Sequence, residues 1–293
     1  MKKDILSDDY FEKYKAHQTA PIDATPTGIR TVDAVCRDAG GGVGVGRGWF
    51  VVLAAASGGG KSVLSLNFIA SALKNDEPVG MASLEMSNEQ VATRLYSIIT
   101  KTPINQLEHG GFSAKTWDEV RGELGDLPPV YVPERLLSSY GSVIEYAEEC
   151  YASGCRYIVV DYLQLIDSGV TEEGIYQSTQ RVVTALRAFG VDKGCTVLCL
   201  SQFNRATSAN YDDSPRATSL HGGMIIEASS DVVLVVDHSK AKRAGPTQNR
   251  LLTYLNVAKN RHGPLVSVPI ELSLSDLTVR EANPLEEEEE WPK

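Results

Sequence analysis

The stretch "VVLAAASGGGKSVLSLNF", residues 51–68, constrains the fold most, because an apolar strand, a glycine-rich turn and a helical pattern follow one another directly. Its Gly60-Lys61-Ser62 matches the end of the phosphate-binding pattern G-x-x-x-x-G-K-[ST], although Ala55 replaces the first glycine. Such a loop turns backbone N–H groups, a lysine and a hydroxyl toward phosphate and Mg²⁺. The alternative is a glycine-rich turn that happens to precede a lysine. The flanking strand and helix favour a nucleotide site formed by Ser57, Gly58, Gly59, Gly60, Lys61, Ser62 and Val63.

The rest of the chain alternates short apolar strands with helical patterns. Strands are predicted at residues 49–54, 79–84, 130–132, within 156–166 and at 196–201, and helices at 61–74, 88–99, near 142–152 and at 180–192. From residue 231 onward, strand follows strand. This order predicts an α/β fold with a mainly parallel central sheet flanked by helices and a β-rich, antiparallel C-terminal extension. Residues 18–49, rich in Pro, Thr and Gly, are interpreted as a linker and a loop-rich approach to the core.

Length and composition limit the possible classes of protein. A chain of 293 residues is expected to form one main domain with short appendages. We expect a cytoplasmic protein with no membrane contact, because no apolar run has the length of a membrane span and the N-terminus lacks the apolar core of a signal peptide. The net charge of −10 argues against a generally basic nucleic-acid coat but permits a basic groove. The five cysteines lack metal-ligand spacing and are expected to be reduced and mostly buried.

Two acidic residues follow apolar strand patterns. Asp161 comes directly after "YIVV", and Glu85 ends "MASLE". A nucleoside triphosphatase needs one carboxylate to hold its metal and another to position the attacking water. We therefore expect Asp161 and Glu85 to lie at the carboxyl ends of strands beside the glycine-rich loop. For Asp161 the alternative is a carboxylate that only caps the end of its strand.

Five segments together resemble a known family. The segments "LAAASGGGKSVLSLNFIASAL", "ASLEMSNEQVATRLYS", "YIVVDYLQLI", "CLSQFNR" and "NVAKNRHGP" occur in the order of the motor domain of DnaB-type replicative helicases. The resemblance extends from about residue 26 to residue 271, and loops of this family commonly carry alanine where Ala55 stands. It implies a RecA-like P-loop ATPase fold, ATP and Mg²⁺ as cofactors, and three regions: an N-terminal linker helix and arm at 1–20, a motor domain at 21–280, and an acidic tail at 281–293.

The resemblance also assigns roles to the residues of the nucleotide site. Lys61 and Ser62 would contact phosphate and Mg²⁺, Asp161 would hold the metal through water, and Glu85 would activate the hydrolytic water. Gln202 resembles the residue that senses the γ-phosphate; the alternative is an ordinary hydrogen bond at a strand end.

Two cations near the C-terminus extend the site to a neighbouring subunit. Lys259 and Arg261 lie two residues apart and should share a face of a strand or hairpin. In the family such residues reach the nucleotide of the adjacent subunit as a trans finger, which implies a homo-oligomeric, hexameric ring. Without the family they would be an exposed basic pair.

Single-stranded DNA would contact loops that line the channel of this ring. Two segments suit this role, residues 167–180 and residues 203–224 after Gln202. The second is preferred, and its candidate residues are Asn204, Arg205, Arg216, His221, Gly222 and Gly223. His221 stands where the family usually has arginine, so phosphate affinity there is expected to be weaker or pH dependent. The alternative is that His221 is an ordinary loop histidine with no role in binding.

Both termini carry candidate docking segments. Tyr10, Phe11 and Tyr14 have the spacing of an amphipathic helix that would pack on this core or on a neighbouring subunit. The glutamate-rich end with Trp291 is either a solvated tail or a docking peptide for a replication partner.

Three functions remain open at this point. The favoured one is a helicase motor that moves 5′→3′ on single-stranded DNA and unwinds a replication fork. The alternatives are a RecA-like DNA-binding ATPase, such as a recombinase or remodelling factor, that does not unwind DNA, and a slow signalling ATPase with protein partners.

Overall fold

The computed structural model describes residues 24–36, 43–110, 114–135, 139–161, 175–202, 223–244 and 248–282, and the single residues 7, 8, 12, 15, 137, 163 and 166. The strands are β1 Ala24–Thr25, β2 Val45–Gly46, β3 Phe50–Ala55, β4 Val79–Ser83, β5 Val130–Tyr131, β6 Tyr157–Asp161, β7 Thr196–Gln202, β8 Val232–Ala244, β9 Arg250–Asn260, β10 Ser267–Ser273 and β11 Val279–Glu281. The helices are α1 Arg30–Val35, α2 Lys61–Leu73, α3 Asn88–Thr100, α4 Ile104–His109, α5 Ala114–Leu124, α6 Tyr140–Ala152, α7 Ile175–Lys193 and α8 Gly223–Ser229.

One large sheet organises the described part of the chain. Its nine strands run in the order β11-β10-β9-β8-β3-β7-β6-β4-β5. The pairs from β8 through β3, β7, β6 and β4 to β5 are parallel, and the pairs from β8 to β11 are antiparallel. The predicted α/β class is therefore confirmed, and the antiparallel extension continues the same sheet.

Two apolar layers cover the two faces of this sheet. Side chains alternate along β3, so that Val51 and Leu53 join one buried cluster while Val52 joins the other. The first cluster includes apolar residues of α1, α2 and α3, and the second includes those of α6, α7 and α8. The near-continuous apolar sequence of the central strands follows from burial on both faces.

Local sequence signals explain several element boundaries. Ser87 and Ser139 each form a capping box, in which the serine side chain accepts a backbone N–H three residues later, so α3 and α6 begin directly after them. The interpretation of residues 18–49 as linker and loop was incomplete, because this stretch contains α1 and the paired strands β1 and β2. The buried carboxylate of Asp33 holds the turn before α1 by accepting hydrogen bonds from the Thr27 and Gly28 backbone N–H groups.

Two expectations about the whole chain can be compared with the described residues. All five cysteines are free and buried, and burial raises the pKa of Cys36 to about 12 and that of Cys195 to about 11. None of the described helices is long and apolar enough to cross a membrane.

Gly80 lies where β4 passes under α6, and its substitution tests this packing. A Cβ atom at Gly80 would lie 2.7 Å from Cys150 Sγ and 2.9 Å from Cys150 Cβ. Gly80→Ala should therefore lower the free energy of unfolding in a urea titration, by roughly 1–3 kcal/mol. Gly122→Ala is the control, because nothing lies within 4 Å of a Cβ atom at this glycine of α5, and it should gain about 0.5–1 kcal/mol. If the contact with Cys150 is responsible, Cys150→Ala should relieve part of the loss; strictly additive effects would contradict this explanation.

Candidate nucleotide site

The glycine-rich loop connects β3 to α2, as the sequence predicts. Gly58 and Gly60 have φ of +69° and +79°, a left-handed conformation that non-glycine residues rarely adopt. Gly59 is restricted differently, since a Cβ atom there would lie 2.9 Å from both Ala55 Cβ and the Ala56 carbonyl oxygen. Ala55 is fully buried at the end of β3, so its methyl group fills the space beneath the loop that Gly59 leaves open. The loop therefore forms its tight turn with alanine at the position where the general pattern has glycine.

Lys61 is the first residue of α2 and is buried, with 8% of its surface exposed. Burial lowers the pKa of Lys61, and the negative charges of Asp161 and Glu85 oppose this shift. The three side chains thus share one electrostatic environment although they lie far apart in sequence. A buried lysine beside two carboxylates at a helix N-terminus can neutralise phosphate oxygens.

Asp161 ends β6 and has the most unusual environment among the described carboxylates. The residue is fully buried, and neither carboxylate oxygen makes a hydrogen bond of acceptable geometry with the rest of the described protein. Burial raises the pKa of Asp161; the nearby Ser62 hydroxyl and Lys61 lower it, and Glu85 raises it further. A buried carboxylate without hydrogen-bond donors is costly unless a ligand satisfies it.

The sheet register brings the other predicted residues to the same edge. Ser83 pairs with Asp161, and the backbone N–H of Leu84 donates to the Asp161 carbonyl oxygen at 2.7 Å. Glu85 follows and is exposed. Gln202 ends β7 directly opposite Ala55 of β3. The carboxyl ends of β3, β7, β6 and β4 therefore meet beside the glycine-rich loop.

These donors fit Mg²⁺ accompanied by a nucleotide better than a metal site made of protein ligands alone. No group of three or more His, Cys, Asp or Glu side chains within the described ranges could hold a metal ion. Mg²⁺ at phosphate sites usually takes one or two protein oxygens and completes its shell with phosphate and water. The Ser62 hydroxyl would supply such an oxygen, and the Asp161 carboxylate would hold the metal through one of its water ligands.

Lys259 and Arg261 lie toward the other end of the strands, near the start of β8 and away from the glycine-rich loop. Lys259 pairs with Val233 near the start of β8, whereas Val235 of the same strand pairs with Ala54, the residue before the end of β3. The Lys259 Nζ atom donates to the carbonyl oxygens of Glu227 and, at 2.7 Å, Ser230. Its side chain therefore points away from the loop of its own chain.

The two cations share the C-terminal end of α8, which confirms that they project to the same side. The Arg261 guanidinium donates to the Ala228 carbonyl oxygen and pairs with Asp231 at 3.2 Å. Carbonyl groups at a helix C-terminus favour positive charge. Burial lowers the pKa of Lys259, and Arg261 lowers it further.

The turn that follows Arg261 is fixed by contacts that the sequence patterns did not indicate. The His262 ring stacks on the Trp49 ring with centroids 3.7 Å apart and an interplanar angle of 9°. The Asn260 side-chain amide donates to the Val35 carbonyl oxygen at 2.9 Å, and a Cβ atom at Gly263 would lie 2.2 Å from that same oxygen. The turn therefore packs directly on the segments that precede β3.

Several predicted residues lie outside the described part of the chain. These are the DNA-binding candidates Asn204, Arg205, Arg216, His221 and Gly222, the helix residues Tyr10, Phe11 and Tyr14, and Trp291 in the acidic tail. Gly223 is described as the first residue of α8. A histidine that the sequence did not single out, His238 on β8, contacts the Gly59 carbonyl oxygen of the loop at 3.0 Å.

Comparison with known proteins agrees with this geometry. The sequence profile of the family described as "DnaB-like helicase C terminal domain" matches residues 25–277. The chain is 29% identical over 267 residues to "Replicative DNA helicase DnaB" of Leifsonia xyli subsp. xyli, covering 87% of this chain and 55% of that protein. It is 27% identical over 261 residues to "Probable plasmid replicative DNA helicase" of Chlamydia psittaci, covering 88% and 55%. The chain thus spans about half the length of these curated relatives.

Solved structures agree with the RecA-like arrangement. "ATPase Domain of G40P" superposes with a TM-score of 0.81 at 19% identity, over 97% of this chain and all of that one. "The Structure Of A DnaB-Like Replicative Helicase And Its Interactions With Primase" gives a TM-score of 0.80 at 19% identity, over 95% and 68%. At these identities the likeness shows the fold alone.

The buried carboxylate of Asp161 predicts an unusual effect on stability. The pKa of Asp161 in the folded protein lies above its ordinary value of 3.8, so the fold favours the neutral acid. The stability that this preference contributes is fully present below pH 3.8 and is lost as the pH rises through the pKa of the folded state. At neutral pH, without metal or nucleotide, Asp161→Asn should therefore raise the free energy of unfolding by about 1 kcal/mol. Addition of Mg²⁺ and ADP should then stabilise the parent protein more than the variant, as measured by thermal unfolding.

Asp237→Asn is the matched control for this experiment. Asp237 is also buried, but its oxygens accept hydrogen bonds from the Ser239 backbone N–H at 2.9 Å and the Asn256 amide at 3.2 Å. Its substitution should not stabilise the protein. Equal losses of stability in both variants would mean that the Asp161 carboxylate does not destabilise the fold.

Proposed function

The chain belongs to the family of DnaB-like helicase C-terminal domains, and from this premise we propose that it is the ATP-driven motor of a replicative DNA helicase. It hydrolyses ATP with Mg²⁺, assembles into a hexameric ring, moves 5′→3′ along single-stranded DNA and unwinds the fork. The observation that carries the proposal is the buried Asp161 carboxylate, whose oxygens make no hydrogen bond of acceptable geometry within the described part of the chain and which lies near Lys61 and Ser62.

In this proposal each residue of the site contributes one step of hydrolysis. Backbone N–H groups of the loop and the Lys61 ammonium would bind the β- and γ-phosphates, the Ser62 hydroxyl would hold Mg²⁺, and Asp161 would hold it through water. When bound there, Mg²⁺ would supply positive charge for the negative charge that develops on the phosphate oxygens. Glu85 is exposed beside them and orients the attacking water. Gln202, opposite the start of the loop, contacts the γ-phosphate.

The distance between the glycine-rich loop and the cations, which lie at opposite ends of the strands, supports a site shared between subunits. Lys259 and Arg261 lie at the end remote from their own loop, and their contacts with the end of α8 direct them away from it. They serve the nucleotide of an adjacent subunit in this proposal. A head-to-tail contact of this kind generates a ring when its rotation closes.

The DNA contacts are proposed for the segment that follows Gln202. Asn204, Arg205, Arg216, His221, Gly222 and Gly223 contact the DNA backbone in the channel, where basic side chains and close backbone approach favour phosphate. The acidic tail with Trp291 would either stay solvated or dock on a replication partner, and the N-terminal helix would pack on a neighbouring subunit.

The ATP hydrolysis rate, measured with and without single-stranded DNA, tests the proposal. The rate should rise when DNA is added and should fall at least about 100-fold in Glu85→Gln, because that variant loses the group that orients water. A rate that does not respond to DNA would contradict the DNA-coupled motor and favour the signalling ATPase. DNA stimulation without unwinding of a forked duplex would instead favour the RecA-like ATPase that does not unwind.

Mixtures of two inactive variants test the shared site. Lys61→Ala keeps the finger cations but loses its own phosphate contact, and Arg261→Ala keeps its phosphate site but loses the finger. Each alone should hydrolyse ATP at least about 10-fold more slowly than the parent. Mixed subunits should recover activity, because some interfaces then join an intact loop to an intact finger. The absence of recovery, in mixtures shown by light scattering to co-assemble, would contradict the trans arrangement.

A further inference from the structure

The glycine-rich loop contacts a side chain from a strand far away in sequence. His238 on β8 has its Nε2 atom 3.0 Å from the Gly59 carbonyl oxygen. A carbonyl oxygen can only accept a hydrogen bond, so Nε2 carries the hydrogen and donates it. The contact therefore restrains one peptide group of the loop from outside the loop.

The histidine ring is itself held from its other side. Its Nδ1 atom lies 3.2 Å from the Thr253 hydroxyl oxygen on β9. This buried hydroxyl also lies 2.6 Å from the Asp237 carbonyl oxygen. Because it has a single hydrogen, it holds the neutral ring when that hydrogen is donated to Nδ1. The ring is thus fixed between the loop and two strands of the sheet, and its orientation does not depend on the loop alone.

Peptide geometry transmits this restraint to the inner surface of the loop. The peptide bond between Gly59 and Gly60 is planar, and in a trans peptide the C=O and N–H groups point in opposite directions. A donor that holds the Gly59 carbonyl outward therefore holds the Gly60 N–H inward. Gly60 is the N-cap of α2 and has no side chain to cap the helix, so its N–H belongs to the set that a phosphate would meet.

The loop needs such a restraint because its own sequence provides little. Gly58, Gly59 and Gly60 are consecutive, and nothing lies within 4 Å of a Cβ atom at Gly58 or Gly60. Glycine loses more conformational freedom on ordering than other residues, and binding is weaker when the ligand itself must impose that order. A fixed hydrogen bond to the middle glycine reduces this loss before the nucleotide arrives.

We propose that His238 is a positioning residue, which orients the Gly59–Gly60 peptide so that its N–H faces the phosphates of a bound nucleotide. The choice of a nucleoside di- or triphosphate as ligand rests on the proposed function. The hydrogen bond itself and its effect on the loop do not.

A pair of near-isosteric variants separates the hydrogen bond from packing. In His238→Gln the side-chain amide reaches the place of Nε2, whereas in His238→Asn it reaches only the place of Nδ1. With Mg²⁺ and a fluorescent ADP analogue as the probe, His238→Asn should bind about 3- to 10-fold more weakly, and His238→Gln should stay within about twofold of the parent. His109→Asn is the control, since this histidine is exposed at the end of α4. Equal affinities of the Gln and Asn variants would overturn the proposal.

Hydrogen exchange in the absence of nucleotide makes this inference distinguishable from the proposed function. Mass spectrometry of a peptide that spans residues 56–62 should show faster amide exchange in His238→Asn than in the parent and His238→Gln, without a change in the peptides of α6. This result together with a parent that binds no nucleotide would uphold the restraint and contradict the proposed ATPase. Unchanged exchange at residues 56–62 would overturn the restraint even in an active enzyme.

Discussion

The parallel register of four strands is the constraint on which the site depends. Because β3, β7, β6 and β4 run in the same direction, their carboxyl ends finish at one edge. The register places Gln202 opposite Ala55 and Asp161 opposite Ser83. It also puts the Asp161 carboxylate at the end of a strand buried on both faces, where burial raises its pKa. The hydrogen bonds that fix the strand register therefore also bury the Asp161 carboxylate, whose negative charge a bound cation would stabilise.

Features with local or periodic signals could be predicted from the sequence. The loop with its flanking strand and helix, the carboxylates after apolar runs and the shared side of Lys259 and Arg261 all follow from such signals. The short helices α1, α4 and α8 lacked enough turns to show a helical period. The contacts of His238 with Gly59 and of His262 with Trp49 join residues distant in sequence, so no pattern within a window of sequence could have indicated them.

Strand β8 runs from the end of the sheet that carries the cations to the end that carries the glycine-rich loop. At its start, the preceding Asp231 accepts a hydrogen bond from the Phe50 backbone N–H and pairs with Arg261. Further along, His238 contacts the loop. One strand therefore contacts the glycine-rich loop and, at the other end of the sheet, the group of cations, and the antiparallel extension is part of the same sheet.

Because the glycine-rich loop and the cations lie at opposite ends of the strands, the two contact surfaces of each subunit in the proposed assembly differ. In an open arc of subunits related head to tail, the first would hold a nucleotide loop that no neighbour completes, and the last would hold cations with nothing to contact. Every addition to the arc moves one of these incomplete ends and removes neither. Only closure removes both at once, so in the proposed assembly the closing contact is the one that completes a site without bringing a new incomplete one.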